Sequence, residues 1–204
     1  MTILWLRHGE TALNAARVMQ PADTPLSALG LAQAEAAARR LATMRPRAIL
    51  CSDMPRALQT AMLLSRHCGL PVTVDERLAE RNFGALRGRP WSTLDFDPTT
   101  MQEAPEDGES MAQFHARAAE AWALAAARRA ELDGLLVVVS HGLLIHSVLA
   151  RHAHWPAGPL ELPQRLGNAS VSIVDAAPPH AVLRVGCTAH LLDVNAFTPT
   201  GGVA

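Results

Sequence analysis

Two histidines in this chain each stand between a short apolar run and a glycine: Leu6-Arg7-His8-Gly9-Glu10-Thr11 near the start, and Val139-Ser140-His141-Gly142 further on. A neutral imidazole can attack phosphorus, and a second imidazole that donates a hydrogen bond can stabilise charge on the group in transfer. Phosphoryl chemistry also needs fixed positive charge and N–H donors around the outer oxygens. Arg7, Arg56 and the helix N-termini expected after Gly9 and Gly142 can supply both. A departing alkoxide needs an acid, and the stretch Glu76-Arg77-Leu78-Ala79-Glu80-Arg81 offers Glu76 and Glu80. Spacing alone does not choose between them.

These residues come together only if the elements that carry them end at one edge of a sheet. Ile3 to Leu6, Ala48 to Cys51, Val72 to Val74 and Leu135 to Val139 read as strands, the last the most hydrophobic and β-branched run in the chain. Between them lie helical patterns. The first runs from Ser27 to Met44, stopped by Pro46. A second starts at Pro55, with Ala57, Leu58, Ala61, Met62 and Leu64 as its apolar face, and ends before Gly69 and Pro71. A capping box at Ser110 and Gln113 opens a helix to about Ala130, with Phe114, Ala118, Trp122 and Ala125 as its buried side. Another helix follows Gly142 and ends near His152. Val171 to Val174 and Val182 to Val185 read as closing strands, at least one of them antiparallel.

Alternating strands and helices predict a three-layer α/β/α sandwich with a mostly parallel central sheet and one antiparallel edge strand. The chain is read as a single domain over 1–204. Trp91 to Gly108, rich in Asp, Pro and Thr, reads as an inserted lid, bounded at about 85–109 with its flanks. In such sheets ligands bind beyond the carboxyl ends of the strands. His8, the Ser52 to Arg56 segment and His141 all fall there.

The 204 residues are 49% hydrophobic and 18% charged with a net charge of -1, which disfavours disorder and general attraction to nucleic acid or an anionic membrane. An anion site must therefore be local. All 18 basic residues are arginines. Cys51, Cys68 and Cys187 are too scattered for a disulfide framework or a thiolate metal site, and a reducing cytoplasm suits them. The apolar run from Thr2 to Leu6 is too short for a signal-peptide core or a membrane span. His152 and His154 are expected to lie exposed around a helix end, with His146 packed there, so no metal site is assigned. Trp5, Trp91, Trp122 and Trp155 have no basic stripe beside them and are expected to pack in the core or lid.

The motifs resemble those of the histidine phosphatase superfamily, which includes the cofactor-dependent phosphoglycerate mutases and many small phosphatases. Leu6 to Thr11 with Asn14 is similar to its signature. Asp23 to Ser27, Ser52 to Ala61, Leu78-Ala79-Glu80 with Phe83-Gly84, Gly108-Glu109-Ser110 and Ser140-His141-Gly142 then follow in family order. Ordered blocks at strand ends are far more specific than any one tripeptide. The resemblance implies that His8 is the phosphorylated nucleophile and that Arg7, Arg56 and His141 bind and stabilise the phosphoryl group. Glu80 is implied as the proton donor, with no metal or other cofactor. Asn14, the backbone N–H of Leu143, Gly9, Thr11 and Gly142 are implied around the phosphate. Arg17-Val18-Met19-Gln20-Pro21 departs from the family's Arg-Phe-Gln-Gly stretch, so Arg17 and Gln20 receive no role.

The expected activity is metal-independent hydrolysis of a small-molecule phosphate ester through a phosphohistidine on His8. Two alternatives stand beside it: a cofactor-dependent phosphoglycerate mutase and a silent phospholigand-binding protein. Glu80-Arg81-Asn82-Phe83-Gly84 is similar to the mutase form of that block, in which an arginine in the place of Arg81 holds a substrate carboxylate. Against a mutase, Asp95, Asp97, Glu103, Glu106, Asp107 and Glu109 make the lid acidic, a poor cover for a substrate with both phosphate and carboxylate. The intact set of His8, Arg7, Arg56, Glu80 and His141 argues against a silent protein. No nucleic-acid or membrane partner is expected, and a homodimer is compatible with the sequence.

Overall fold

A computed structural model describes residues 2–192 and 194. In chain order the main elements are β1 (Thr2–Arg7), α1 (Ala12–Ala15), α2 (Ala28–Ala42), β2 (Ala48–Cys51), α3 (Pro55–Cys68), β3 (Val72–Val74), α4 (Met111–Ala130), β4 (Leu136–Ser140), α5 (Gly142–His152), β5 (Val171–Asp175) and β6 (Val182–Cys187). The strands form one sheet in the order β3-β2-β4-β1-β5-β6.

Side chains alternate across each strand, and here both faces are apolar, so the sheet must be covered twice. Ile3 and Trp5 of β1 with Leu136 and Val138 of β4 pack under Phe114, Ala118 and Trp122 of α4 and Leu144 and Val148 of α5. Leu4, Leu6, Val137 and Val139 face the other way, onto Ala37, Ala38 and Leu41 of α2 and Ala57, Ala61 and Leu64 of α3. This is the expected sandwich. Full burial of an aliphatic side chain contributes about 1.5–3 kcal/mol, and β1 and β4 together supply the densest row of such residues.

β1, β2, β3 and β4 are parallel, and β5 runs against β1. β6 is antiparallel to β5, so it returns to the direction of β1. β5 and β6 thus make the antiparallel edge of an otherwise parallel sheet, as expected. The short connection between β5 and β6 explains this, since a hairpin reverses the chain whereas a parallel pair needs a long crossover.

The helix ends follow the expected chemistry. Ser27 Oγ accepts from Gly30 N at 3.0 Å to start α2, and Ser110 with Gln113 forms a reciprocal capping box on α4. Gly69, at φ 67°, closes α3 in the left-handed conformation. The buried face of α3 differs from expectation. Met62 is 48% exposed, and the face comprises Arg56, Ala57, Thr60, Ala61 and Leu64. Two polar residues take the turn that points at the end of β1, and Met62 lies on the far side of the helix.

Within 85–109 the backbone is irregular apart from short 3-10 turns at Gly84–Leu86 and Trp91–Thr93. The segment is tied down through main chain: Ala85 N donates to Glu106 O at 2.9 Å and Glu109 N to Asn82 O at 2.8 Å. Phe83 and Leu86 pack with Met19 beneath it. Among the described residues no helix is long and apolar enough to cross a membrane.

Candidate active site

Register brings the two histidines together. Arg7 pairs with Ser140 across β1 and β4, and Cys51 with Val139 across β2 and β4, so the residues that follow these strands emerge side by side. His8 N then donates to Ser140 O at 2.9 Å and Ser52 N to Val139 O at 3.0 Å. The His8 and His141 rings lie 5.1 Å apart, both buried.

Each ring has a defined tautomer. His8 Nδ1 lies 2.6 Å from Gly9 O, and since a carbonyl only accepts, Nδ1 carries the proton and Nε2 keeps its lone pair. Burial, then the positive charges of Arg7 and Arg56, hold the His8 pKa well below the usual imidazole range. The ring is therefore neutral and nucleophilic near pH 7. His141 Nε2 is 2.8 Å from Ser52 Oγ, whose other acceptor, Asp53 Oδ1, is further away at 3.3 Å. Donation from Ser52 to Nε2 leaves the ring proton on Nδ1, which has no partner among the described residues. That nitrogen is the donor the chemistry asks for.

Arg7 and Arg56 supply the fixed charge. The Arg7 guanidinium donates through Nη1 to Leu166 O. Arg56, only 2% exposed, donates to Ala22 O at 3.3 Å. Burial lowers the Arg56 pKa to about 10, so it stays cationic at neutral pH. Gly142 is where close packing needs a missing side chain, because a Cβ there would stand 3.3 Å from Arg7 Nε.

The two candidate acids stand in different places. Glu76 is exposed and remote from the cavity, whereas Glu80 lines it. The Glu80 carboxylate accepts from Leu143 N at 3.0 Å, Leu144 N at 3.1 Å and Arg81 N at 3.1 Å. α5 has no side-chain cap of its own, and Glu80 serves its orphan N–H groups from another loop. Arg117 of α4 fixes that loop: its guanidinium donates to Ala79 O at 2.7 Å and Arg77 O at 3.0 Å while pairing with Glu109 at 2.8 Å.

Several sequence-predicted phosphate ligands are committed to other partners. Thr11 is fully buried, accepts from Asn14 N at 3.0 Å as the cap of α1, and donates towards Gln20 Oε1 at 2.7 Å. Gly9 N donates to Thr60 Oγ1 at 3.2 Å, and a Cβ on Gly9 would meet Gly30 O at 2.3 Å. Its glycine serves loop-to-helix packing rather than anion approach. Leu143 N is occupied by Glu80, as described. Arg81 turns away from a carboxylate role, donating to Met101 O at 2.7 Å and Glu109 O at 3.1 Å. Asn14 does line the cavity, with Nδ2 on Asn168 Oδ1 at 3.0 Å. His152 also departs from expectation, stacked 6.4 Å from Trp122 instead of lying free at a helix end, while His154 is exposed.

The cavity itself measures about 300 Å³. Its walls include Asn14, Gln20, Arg56, Glu80, His146 and Arg165, and the two catalytic-candidate imidazoles lie buried behind Arg7 and Arg56. Gln20, left without a role, lines it, as does Arg17. Sequence reasoning missed Arg165 and Asn168, in a loop without periodicity. The loop arrives here because antiparallel β5 begins beside the end of β1, with Ala169 N donating to His8 O at 3.0 Å. The acidic-lid argument fails: Asp95, Asp97, Glu103, Glu106 and Asp107 are exposed, Glu109 is bound to Arg117, and none lines this cavity. Among the described residues no cluster of three or more His, Cys, Asp or Glu side chains is arranged to hold a metal ion.

Known proteins resemble the chain along most of its length. The probable phosphoglycerate mutase GpmB of Yersinia enterocolitica is 34% identical over 216 residues, covering 94% of this chain and 95% of that one. A solved mycobacterial glucosyl-3-phosphoglycerate phosphatase is 33% identical with a TM-score of 0.73, covering 85% of this chain and 90% of that one. YhfR of Bacillus stearothermophilus is 28% identical with a TM-score of 0.77, covering 93% and 98% respectively. The profile of the histidine phosphatase superfamily (branch 1) matches residues 3–186, and the chain belongs to that superfamily.

Proposed function

We propose that this protein is a metal-independent phosphomonoesterase that hydrolyses a small phosphorylated metabolite through a phosphohistidine on His8. The observation that carries the reading is the His8 ring: buried, neutral, with Nδ1 committed to Gly9 O and Nε2 free, 5.1 Å from His141 and beside the guanidiniums of Arg7 and Arg56. A phosphatase among its structural relatives supports the same class.

In this reading Nε2 of His8 attacks phosphorus and the P–O bond to the alcohol breaks. Protonated Glu80 gives its proton to the departing oxygen. Arg7, Arg56 and Nδ1–H of His141 bear the charge on the three outer oxygens, the work a metal would otherwise do. Water then attacks phosphorus, the bond from phosphorus to Nε2 breaks and inorganic phosphate leaves, while the water proton passes to the Glu80 carboxylate and His8 returns to neutral. Residual positive charge in the cavity keeps phosphoglycerate mutase action as a second reading, in line with the GpmB relative.

The test is phosphate release from an activated aryl phosphate in the presence of a chelator, comparing the native chain with His8→Ala. Release by the native chain alone supports the proposal. Loss of activity with chelator removes metal independence, and equal release by His8→Ala removes the phosphohistidine. Interconversion of phosphoglycerates without release favours the mutase.

A further inference from the structure

The cavity holds more positive charge than one phosphate needs. Beyond Arg7 and Arg56, its walls carry Arg17, Arg81, Arg87 and Arg165, while among the described residues Glu80 is the one carboxylate lining it. Arg17, Arg87 and Arg165 make no ion pair among the described residues. Burial lowers the Arg7 pKa, the attraction of Glu80 opposes that, and the repulsion of Arg165 adds to the lowering, so the outer charge is close enough to be felt at the inner one. Unpaired cations gathered in a concave wall are the counterpart of an anion.

Two of these cations are held in place. The Arg165 guanidinium carbon lies 4.8 Å from the Trp91 ring centroid and that of Arg17 lies 5.7 Å from it. Stacking on one indole restricts long side chains that otherwise lose rotamer entropy on binding. Arg17, Trp91 and Arg165 also line a second, more open cavity of about 500 Å³, so they stand at the mouth where the two meet. Asp97, the carboxylate of that outer cavity, already accepts from Thr99 N at 2.9 Å and Thr99 Oγ1 at 2.7 Å.

We infer that Arg17 and Arg165, stacked on Trp91, form a subsite for a second anionic group, a carboxylate or phosphate, carried by the alcohol portion of the substrate. The inference rests on the phosphomonoesterase reading and names its substrate class: a small metabolite with an acid group at each end. An uncharged alcohol leaves both guanidiniums unpaired at the mouth. Of the carboxylates of the 91–109 segment, Asp97 shares the outer cavity with them but is engaged by Thr99, and the others line neither cavity.

The experiment compares kcat/KM of the full chain on matched esters that differ in the far group. Glycerol 3-phosphate against 3-phosphoglycerate probes a short separation, and fructose 6-phosphate against fructose 1,6-bisphosphate a longer one. An aryl phosphate runs alongside. The native chain should favour the anionic member of at least one pair by about tenfold or more, the worth of one charge-assisted hydrogen bond. Arg17→Gln and Arg165→Gln should each cut that preference several-fold, and Arg165→Glu should reverse it towards the uncharged member. Equal rates within both pairs, or a preference that survives Arg17→Gln and Arg165→Glu, overturns the subsite even if the aryl ester is hydrolysed. Failure to turn over any ester overturns the phosphatase reading and the subsite with it.

Discussion

Replacing Glu80 by Gln separates two jobs that the native carboxylate performs with the same atoms. In the structure Oε1 accepts from Leu144 N and Arg81 N, and Oε2 from Leu143 N. A glutamine can keep its oxygen on the first two, but its NH2 then faces Leu143 N–H, donor against donor. One charge-assisted bond lost at this half-buried position costs about 1.5 kcal/mol, the low end of the usual range. The catalytic cost depends on the substrate. A missing general acid slows reaction by roughly 10²–10⁴-fold, about 2.7–5.5 kcal/mol, where the leaving group is a poor one. An activated aryl oxide needs no proton and should lose only a few-fold. The assay is kcat/KM, which reports the first irreversible step, over esters of graded leaving-group pKa, with urea unfolding in parallel. The variant line should fall more steeply than the native one. Parallel lines, with every ester slowed alike, would refute the proton-donor assignment and leave Glu80 as a cap for α5.

Acid should destabilise the fold through its buried histidines. Burial first, then positive charge from the arginines, depresses the pKa of both His8 and His141, from a reference of 6.5. Below that reference the unfolded chain binds protons that the folded one refuses, so stability is complete above it and falls as pH drops, by about 1.4 kcal/mol per pH unit per histidine. Urea unfolding between about pH 7.5 and pH 5 should show a slope shallower by about that amount in His8→Asn; equal slopes sink the assignment. Gly30→Ala places a Cβ 1.9 Å from Glu10 O and should cost about 1–3 kcal/mol or more with loss of activity. Gly167→Ala, whose Cβ meets only Thr188 Cγ2 at 3.4 Å, should unfold within about 0.5 kcal/mol of the native chain.

What the sequence made legible is what local chemistry dictates. The bounds of β2 and β3 were readable because apolar β-branched runs stop at polar or turn residues, and α4 because Ser110 and Gln113 announce its start. The two histidines and Arg7 were readable because strand ends in a parallel sheet converge. Directions of side chains were not. Arg81 and Glu80 are sequence neighbours, yet one turns into the 101–109 backbone and the other onto α5. Nothing in residue types tells which way a loop will aim them. The acids of 91–109 misled for the same reason: their number was visible and their outward direction was not. Arg165 and Asn168 required knowing that β5 runs antiparallel to β1, a pairing far apart in sequence.

The segment above the cavity is gripped by its peptide groups. Arg81 takes the carbonyls of Met101 and Glu109, Asn82 Nδ2 takes that of Asp107 at 2.9 Å, and Ala85 N meets Glu106 O. Peptide groups are the same whatever side chain follows them. The exposed residues between Trp91 and Pro105 can thus change without touching these bonds, whereas Leu94 and Met101 pack against Met19, Phe83 and Leu86. Under the proposed hydrolysis, preference for one ester over another would be rewritten at those exposed positions while Glu80 and the two histidines below keep their places, a separable reading head.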